Sequence, residues 1–174
     1  GMGYDRKPHR VVVLEAAQVS LDWSARVSAI WRSYQFKILN RQARPALQET
    51  HVWHVKRVLD VDLMQEGANY LLGSHDFTSF RAIACQARSA VRTLDVLTIH
   101  REGELVIVNT KARSFLHHQV RNMVGSLVMV GSRQWPPEKM REVLEARNRC
   151  AAGPTSPPDG LCLTGVGYPE DPFA

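Results

Sequence analysis

The order of apolar segments predicts an α+β domain of the ferredoxin-like, split βαβ kind: one antiparallel sheet with helices on one face. Three observations lead there. Tyr34, Phe36 and Ile38 alternate with Gln35 and Lys37, the period of a half-buried strand. Two further apolar runs, roughly 92–100 and 104–111, flank a Glu102-Gly103 pair that reads as a tight hairpin turn. Two segments with three-and-four spacing lie on either side of that hairpin, which completes the order β, α, β, β, α, β.

Taken in chain order, residues 11–19 (VVVLEAAQV) open with a β-branched run and predict a strand. The strand around Tyr34–Ile38 follows, and residues 40–50 are a polar connection containing Pro45. Val61, Met64, Ala68, Leu71 and Leu72 form a helical stripe, with Gly73 as its expected terminator. After the segment GSHDFTSFRAIACQARSA comes the hairpin. Leu116, Val120, Met123, Val124, Leu127 and Val128 then form the second stripe. Pro136-Pro137 starts a short helix carrying Met140, Val143 and Leu144. A Gly/Pro-rich loop, AAGPTSPPDG, leads into a last strand, LCLTGVGY.

The 174 residues, 44% hydrophobic and 22% charged, suit one soluble domain with a real core. No apolar run is long enough to span a membrane, and no cleavable signal is expected. Cys85, Cys150 and Cys162 are far apart and lack any CxxC, so a reducing compartment and neither disulfides nor a zinc cage are expected. His51 and His54 form an HxxH, yet nothing at ligand spacing completes a metal site.

Net charge is +5, and its distribution says more than its size. Asp22 to Glu49, Asp76 to Asp95 and Glu104 to Glu138 enclose arginines and lysines, Arg81 among them, and no acid. Three such windows suit a polyanion-binding surface, though a solvated basic face would look the same.

Arg121 is the anomaly. It falls inside the second stripe, near His117 and Gly125 on a small-polar face, where helix packing asks for no cation. Either it reaches water from the helix edge, or it holds an acidic catalytic group or a phosphate.

Five phrases occur here in one order: RSYQF (Arg32–Phe36), GSHDFTSFRA (Gly73–Ala82), CQARSAVRTL (Cys85–Leu94), SFLHHQVRNMVG (Ser114–Gly125) and AAGPTSPPDGLCLTGVGYPED (Ala151–Asp171). From about Pro8 to Asp171 the chain resembles the C-terminal half of the TruA family of tRNA pseudouridine synthases. The resemblance implies the pseudouridine synthase fold, with 1–20 as remnant of an interdomain segment and edge strand and 21–174 as the C-terminal domain. It implies isomerisation of uridines to pseudouridine in the tRNA anticodon stem-loop (positions 38–40), without cofactor or metal. It also implies tRNA as partner, a homodimer, and a cytoplasmic or organellar-matrix location. The family's nucleophilic aspartate lies in a GRTDAGVHA-type motif, and no GRTDAG occurs in this sequence. This chain alone is therefore expected to be inactive, either as the active-site-completing part of a synthase or as an RNA-binding or ribonucleoprotein assembly module derived from one.

Site roles carry over by position. Tyr34 matches the tyrosine that stacks on the target base, although an alternating strand also places core tyrosines this way. Arg121 matches the arginine that pairs with the catalytic aspartate. Leu161, in DGLCL, matches an apolar wall of the base pocket, or is simply core. His117 and His118, one turn before Arg121, are candidates for tRNA contact or ordinary helix-edge histidines, and Arg81 is a further candidate for RNA binding. His75-Asp76 reads either as an acid–base pair or as part of a structural turn anchored by Phe77 and Phe80.

Overall fold

The computed structural model describes residues 11–46, 50–170 and 172–173. Strands β1 (Trp31–Asn40), β2 (Trp53–Val55), β3 (Gly73–Asp76), β4 (Val91–Glu102), β5 (Leu105–Ala112) and β6 (Leu161–Gly167) form one sheet. Helices α1 (Val61–Asn69), α2 (Gln119–Gly131) and α3 (Lys139–Ala146) complete the regular structure.

The split βαβ order is present as the antiparallel run β6-β1-β5-β4. Two short strands extend it. β2 pairs parallel with the end of β1, from Ile38↔Trp53 to Asn40↔Val55, and β3 pairs antiparallel with the start of β4. The sheet is therefore mixed, where the sequence predicted a purely antiparallel one. β6 and β2 share one side of β1, with β6 along Trp31–Phe36 and β2 along Ile38–Asn40. That split leaves the Tyr34 end of β1 between β5 and β6.

Alternation sorts the sheet into two faces. Phe36↔Val108 and Ile38↔Val106 pair on the face that meets the helices, and all four are buried in the same cluster as Met64, Met123 and Leu127. On the other face the Gln35 side-chain amide donates to Asn109 Oδ1 at 3.0 Å, and Lys111 lies over the Trp31 ring. α2 is the central helix: nearly all its residues are buried, leaving Arg121 and Met129 partly accessible. Met140, Val143 and Leu144 of α3 are buried as their spacing predicts.

Three expectations are corrected. Residues 11–20 form no strand, and Val11–Leu14 stand 76–92% exposed. A β-branched run needs a neighbouring strand to accept its ladder bonds, and no described strand of this chain pairs with it. Residues 1–10 lie outside the described residues. The α1 stripe stops at the Tyr70 cap, earlier than predicted, because Leu71 N–H turns back to Ala68 O at 2.9 Å. Gly73 instead opens β3, at φ +90. In the hairpin, Glu102 pairs with Leu105, so the turn residues are Gly103, at φ +58, and Glu104.

His75 and Asp76 end β3, and their side chains are bonded locally. His75 Nε2 sits 2.7 Å from Leu72 O, and Asp76 Oδ1 accepts from Thr78 N and Thr78 Oγ1 at 2.9 and 2.6 Å. The Thr78 hydroxyl bond is the main cause that holds the Asp76 carboxyl below its ordinary range. Phe77 and Phe80 are fully buried beside it.

Candidate active-site cleft

The helix start that carries Arg121 is shaped by an unusual residue. His118 caps α2 at φ 61 and ψ 6, a left-handed conformation uncommon outside glycine, although Arg133 and Arg147 also have positive φ. This bend lets Leu116 N–H meet the Gln119 side-chain oxygen at 2.8 Å and sends α2 inward from the end of β5.

The segment 151–157 then lies along the polar side of α2. Gly153 N–H donates to Ser126 Oγ at 2.9 Å, and Thr155 Oγ1 donates to Asn122 Oδ1 at 2.6 Å. Arg149 bridges Asn122 Oδ1 at 3.2 Å and Gly153 O at 3.0 Å. Ser156 gives both N–H and Oγ–H to the Arg121 carbonyl. Gly125 permits the approach: a Cβ there would stand 1.8 Å from Pro154 O.

Arg121 is held by two bonds. Its Nε donates to Ser156 O at 2.8 Å and its Nη1 to His118 Nε2 at 3.2 Å. A guanidinium has five N–H bonds, so one on Nη1 and both on Nη2 are left. Among the described residues no carboxylate pairs with it. An acid approaching this fork end-on, across Nη1 and Nη2, would find both donors ready.

A cleft of about 1110 Å³ gathers these groups. Tyr34, Leu161, His117, His118 and Arg121 all line it, so five of the six candidate residues come together. Arg81 does not line it; its backbone closes the turn after Phe80, with Arg81 N–H on Thr78 O. Leu161 pairs with Phe36 across β1–β6 and shares the Tyr34 face of the sheet. Tyr34 packs edge-on against Phe115, with ring centres 5.3 Å apart. Its hydroxyl has no hydrogen-bond partner among the described residues.

Sequence reasoning did not single out Phe115, and it named the rim arginines only as members of the basic windows. Arg26, Arg32, Arg92 and Arg113 line the cleft with Arg121, while no Asp or Glu among the described residues does. Arg32 is committed to the backbone: it donates to Ala29 O at 2.9 Å, to Arg113 O at 2.7 Å, and to Arg26 O. It thereby ties the two chain segments that present the exposed side chains of Arg26 and Arg113. The acid-free windows had indicated basic surface, but which arginines are spent on carbonyls is a tertiary fact. His54, from the HxxH, is occupied by Arg41 O at 2.8 Å.

The family described as tRNA pseudouridine synthase matches residues 68–169, which is more than half the chain and includes Arg121 and Leu161. The chain belongs to the tRNA pseudouridine synthase family. Among its relatives, tRNA pseudouridine synthase A of Gluconobacter oxydans (strain 621H) is 72% identical over 173 residues, which cover 99% of this chain and 63% of that protein. The protein of the same name from Acidiphilium cryptum (strain JF-5) is 57% identical over 173 residues, covering 99% of this chain and 68% of its own length. That of Paramagnetospirillum magneticum (strain ATCC 700264 / AMB-1) is 52% identical over 167 residues, covering 96% and 65%. The chain thus spans about two thirds of these synthases, 63% in the first case. Tyr34 precedes the family match but lies inside the stretch aligned with the first two relatives, which covers 99% of the chain.

Proposed function

We propose that this chain is the part of a tRNA pseudouridine synthase that completes the active site and binds tRNA. It would act on uridines of the anticodon stem-loop, positions 38–40. The reaction is an isomerisation: the bond from uracil N1 to the ribose C1′ breaks, C5 bonds to C1′ and gives up its proton, and N1 takes up a proton. No electrons are exchanged, so no redox cofactor is required. Arg121 would hold the nucleophilic aspartate as a carboxylate, since a cation beside an acid lowers its pKa. Tyr34 would stack on the flipped base and offer its unpartnered hydroxyl for proton transfer, with Leu161 as the apolar wall. A homodimer, in the cytoplasm or an organellar matrix, belongs to the same reading.

One observation carries the proposal. The half-engaged Arg121 fork, Tyr34 and Leu161 open on one cleft that has arginines at its rim and no acid among the described residues. The test is conversion of uridine to pseudouridine in tRNA by the full-length protein. Tyr34→Ala should lower conversion roughly 10- to 100-fold, the equivalent of one lost base–aromatic stack. Full activity in that variant would remove Tyr34 from the site.

A second reading rests on the arginine-rimmed cleft, which no Asp or Glu among the described residues lines. The chain would then bind RNA, or help assemble a ribonucleoprotein, without chemistry. Three phosphate contacts, through Arg26, Arg113 and Arg121, predict that RNA affinity falls roughly 20- to 40-fold between 50 and 200 mM salt. A flat profile would count against both readings. Conversion by the full-length protein separates them.

A further inference from the structure

The Arg121 guanidinium makes only one contact with a residue of its own helix start, and that contact is to a side chain whose backbone is strained. We infer that His118 is a positioning residue: its Nε2 accepts from Arg121 Nη1 and turns the free N–H bonds of the fork toward the incoming acid. The inference rests on the proposed synthase reading, and it replaces direct tRNA contact as the role of His118.

Three features of the site agree. A guanidinium can only donate, so the 3.2 Å contact requires His118 Nε2 to be an unprotonated acceptor, with its proton on Nδ1. Burial holds the imidazole below its ordinary pKa, assisted by the charges of His117, Arg121 and Arg149, which keeps it neutral. The left-handed backbone at φ 61 is what brings a residue three positions before Arg121 under its fork. Histidine adopts this conformation at a cost, and such strain is kept where the surrounding structure uses it. The second anchor, Ser156 O on Nε, fixes the near end of the guanidinium. With Nε–H fixed, the remaining freedom is tilting of the rigid guanidinium plane about that bond, and His118 removes it. His117 cannot do the same. It is exposed, and its ring packs against that of His118 at 4.0 Å between centres, tilted by 37°.

The experiment compares kcat and KM for tRNA in the full-length protein carrying His118→Gly. Glycine adopts the left-handed backbone freely, so the chain path is kept and only the acceptor is lost. The expected result is a fall of about tenfold in kcat with KM changed less than about twofold, the sign of an interaction that acts in the transition state. A raised KM with unchanged kcat would mean that the imidazole touches the RNA itself and would overturn the inference. Unchanged values of both would overturn it too. Should the glycine variant fail to fold, His118→Asn serves the same comparison. Asparagine tolerates the same backbone, and its Oδ1 stops where the imidazole Nδ1 lies, short of Nη1. Arg121→Ala, run alongside, separates the two levels. If the wild type converts no uridine the synthase reading fails, if Arg121→Ala stays active the role of Arg121 fails and the positioning role with it, whereas a dead Arg121→Ala beside a wild-type His118→Gly sinks the positioning role alone.

Discussion

Arg121→Ala is expected to cut pseudouridine formation by the full-length protein roughly 100- to 1000-fold, the scale of losing one preorganised charge donor in a site. The loss should fall on kcat, because an aspartate nucleophile that is no longer held ionised reacts slowly once bound. Folding should survive. The Arg121 side chain gives up one bond to the Ser156 carbonyl and one to His118, while the Ser156 N–H and Oγ–H bonds go to the Arg121 backbone and remain. RNA affinity should weaken only modestly, since Arg26, Arg92 and Arg113 still line the cleft. Assay of conversion and of RNA binding on one preparation checks both halves. Conversion within twofold of wild type would remove the central role given to this residue.

Gly125→Ala is expected to have the largest effect on stability. The new methyl carbon would lie 1.8 Å from Pro154 O and 3.0 Å from its carbonyl carbon, and both are backbone atoms that cannot swing aside. Segment 151–157 must lift away from α2. It would take with it the Gly153–Ser126, Thr155–Asn122 and Ser156–Arg121 hydrogen bonds. Overpacking together with stranded polar groups should cost at least about 3 kcal/mol, a drop of roughly 6–12 °C in Tm for a domain of this size. The same movement withdraws Ser156 O from Arg121 Nε, so activity should fall at temperatures where the variant is still folded. Thermal unfolding followed by circular dichroism measures the first effect, and conversion at low temperature measures the second. A variant with an unchanged Tm would mean that the loop is not seated on Gly125 as described.

The sheet's order was legible because its main strands and helices are long enough for period to be read. Tyr34, Phe36 and Ile38 alternate over a ten-residue strand, and α2 repeats its stripe through Val120–Val128, while the predicted Leu116 lies before the helix. β2 and β3, at three and four residues, are shorter than either period needs, so they passed as connections. Residues 11–19 misled for the opposite reason. Their β-branched run has strand character, but a strand is made by its partner, and no described strand supplies one.

The site was legible to a different depth. Arg121 stood out because a cation interrupted an apolar stripe, and Tyr34, Leu161 and the two histidines came from ordered motifs rather than from period. The bonds that orient Arg121 were not readable. Ser156 lies 35 positions away and meets it only because Gly125 lets a loop touch the helix. The left-handed turn at His118 has no local signature of the kind glycine gives. Arg81 belongs to a basic window, yet the turn that carries it lies outside the cleft lining.

The pairing of Arg121 with an acid from the GRTDAG-type motif can be tested at the acid itself. In the full-length protein labelled with ¹³C at aspartate carboxyl carbons, the nucleophile should titrate below the ordinary value of about 3.9. In Arg121→Gln it should rise by roughly one unit or more. An aspartate that titrates identically in both proteins would contradict the account.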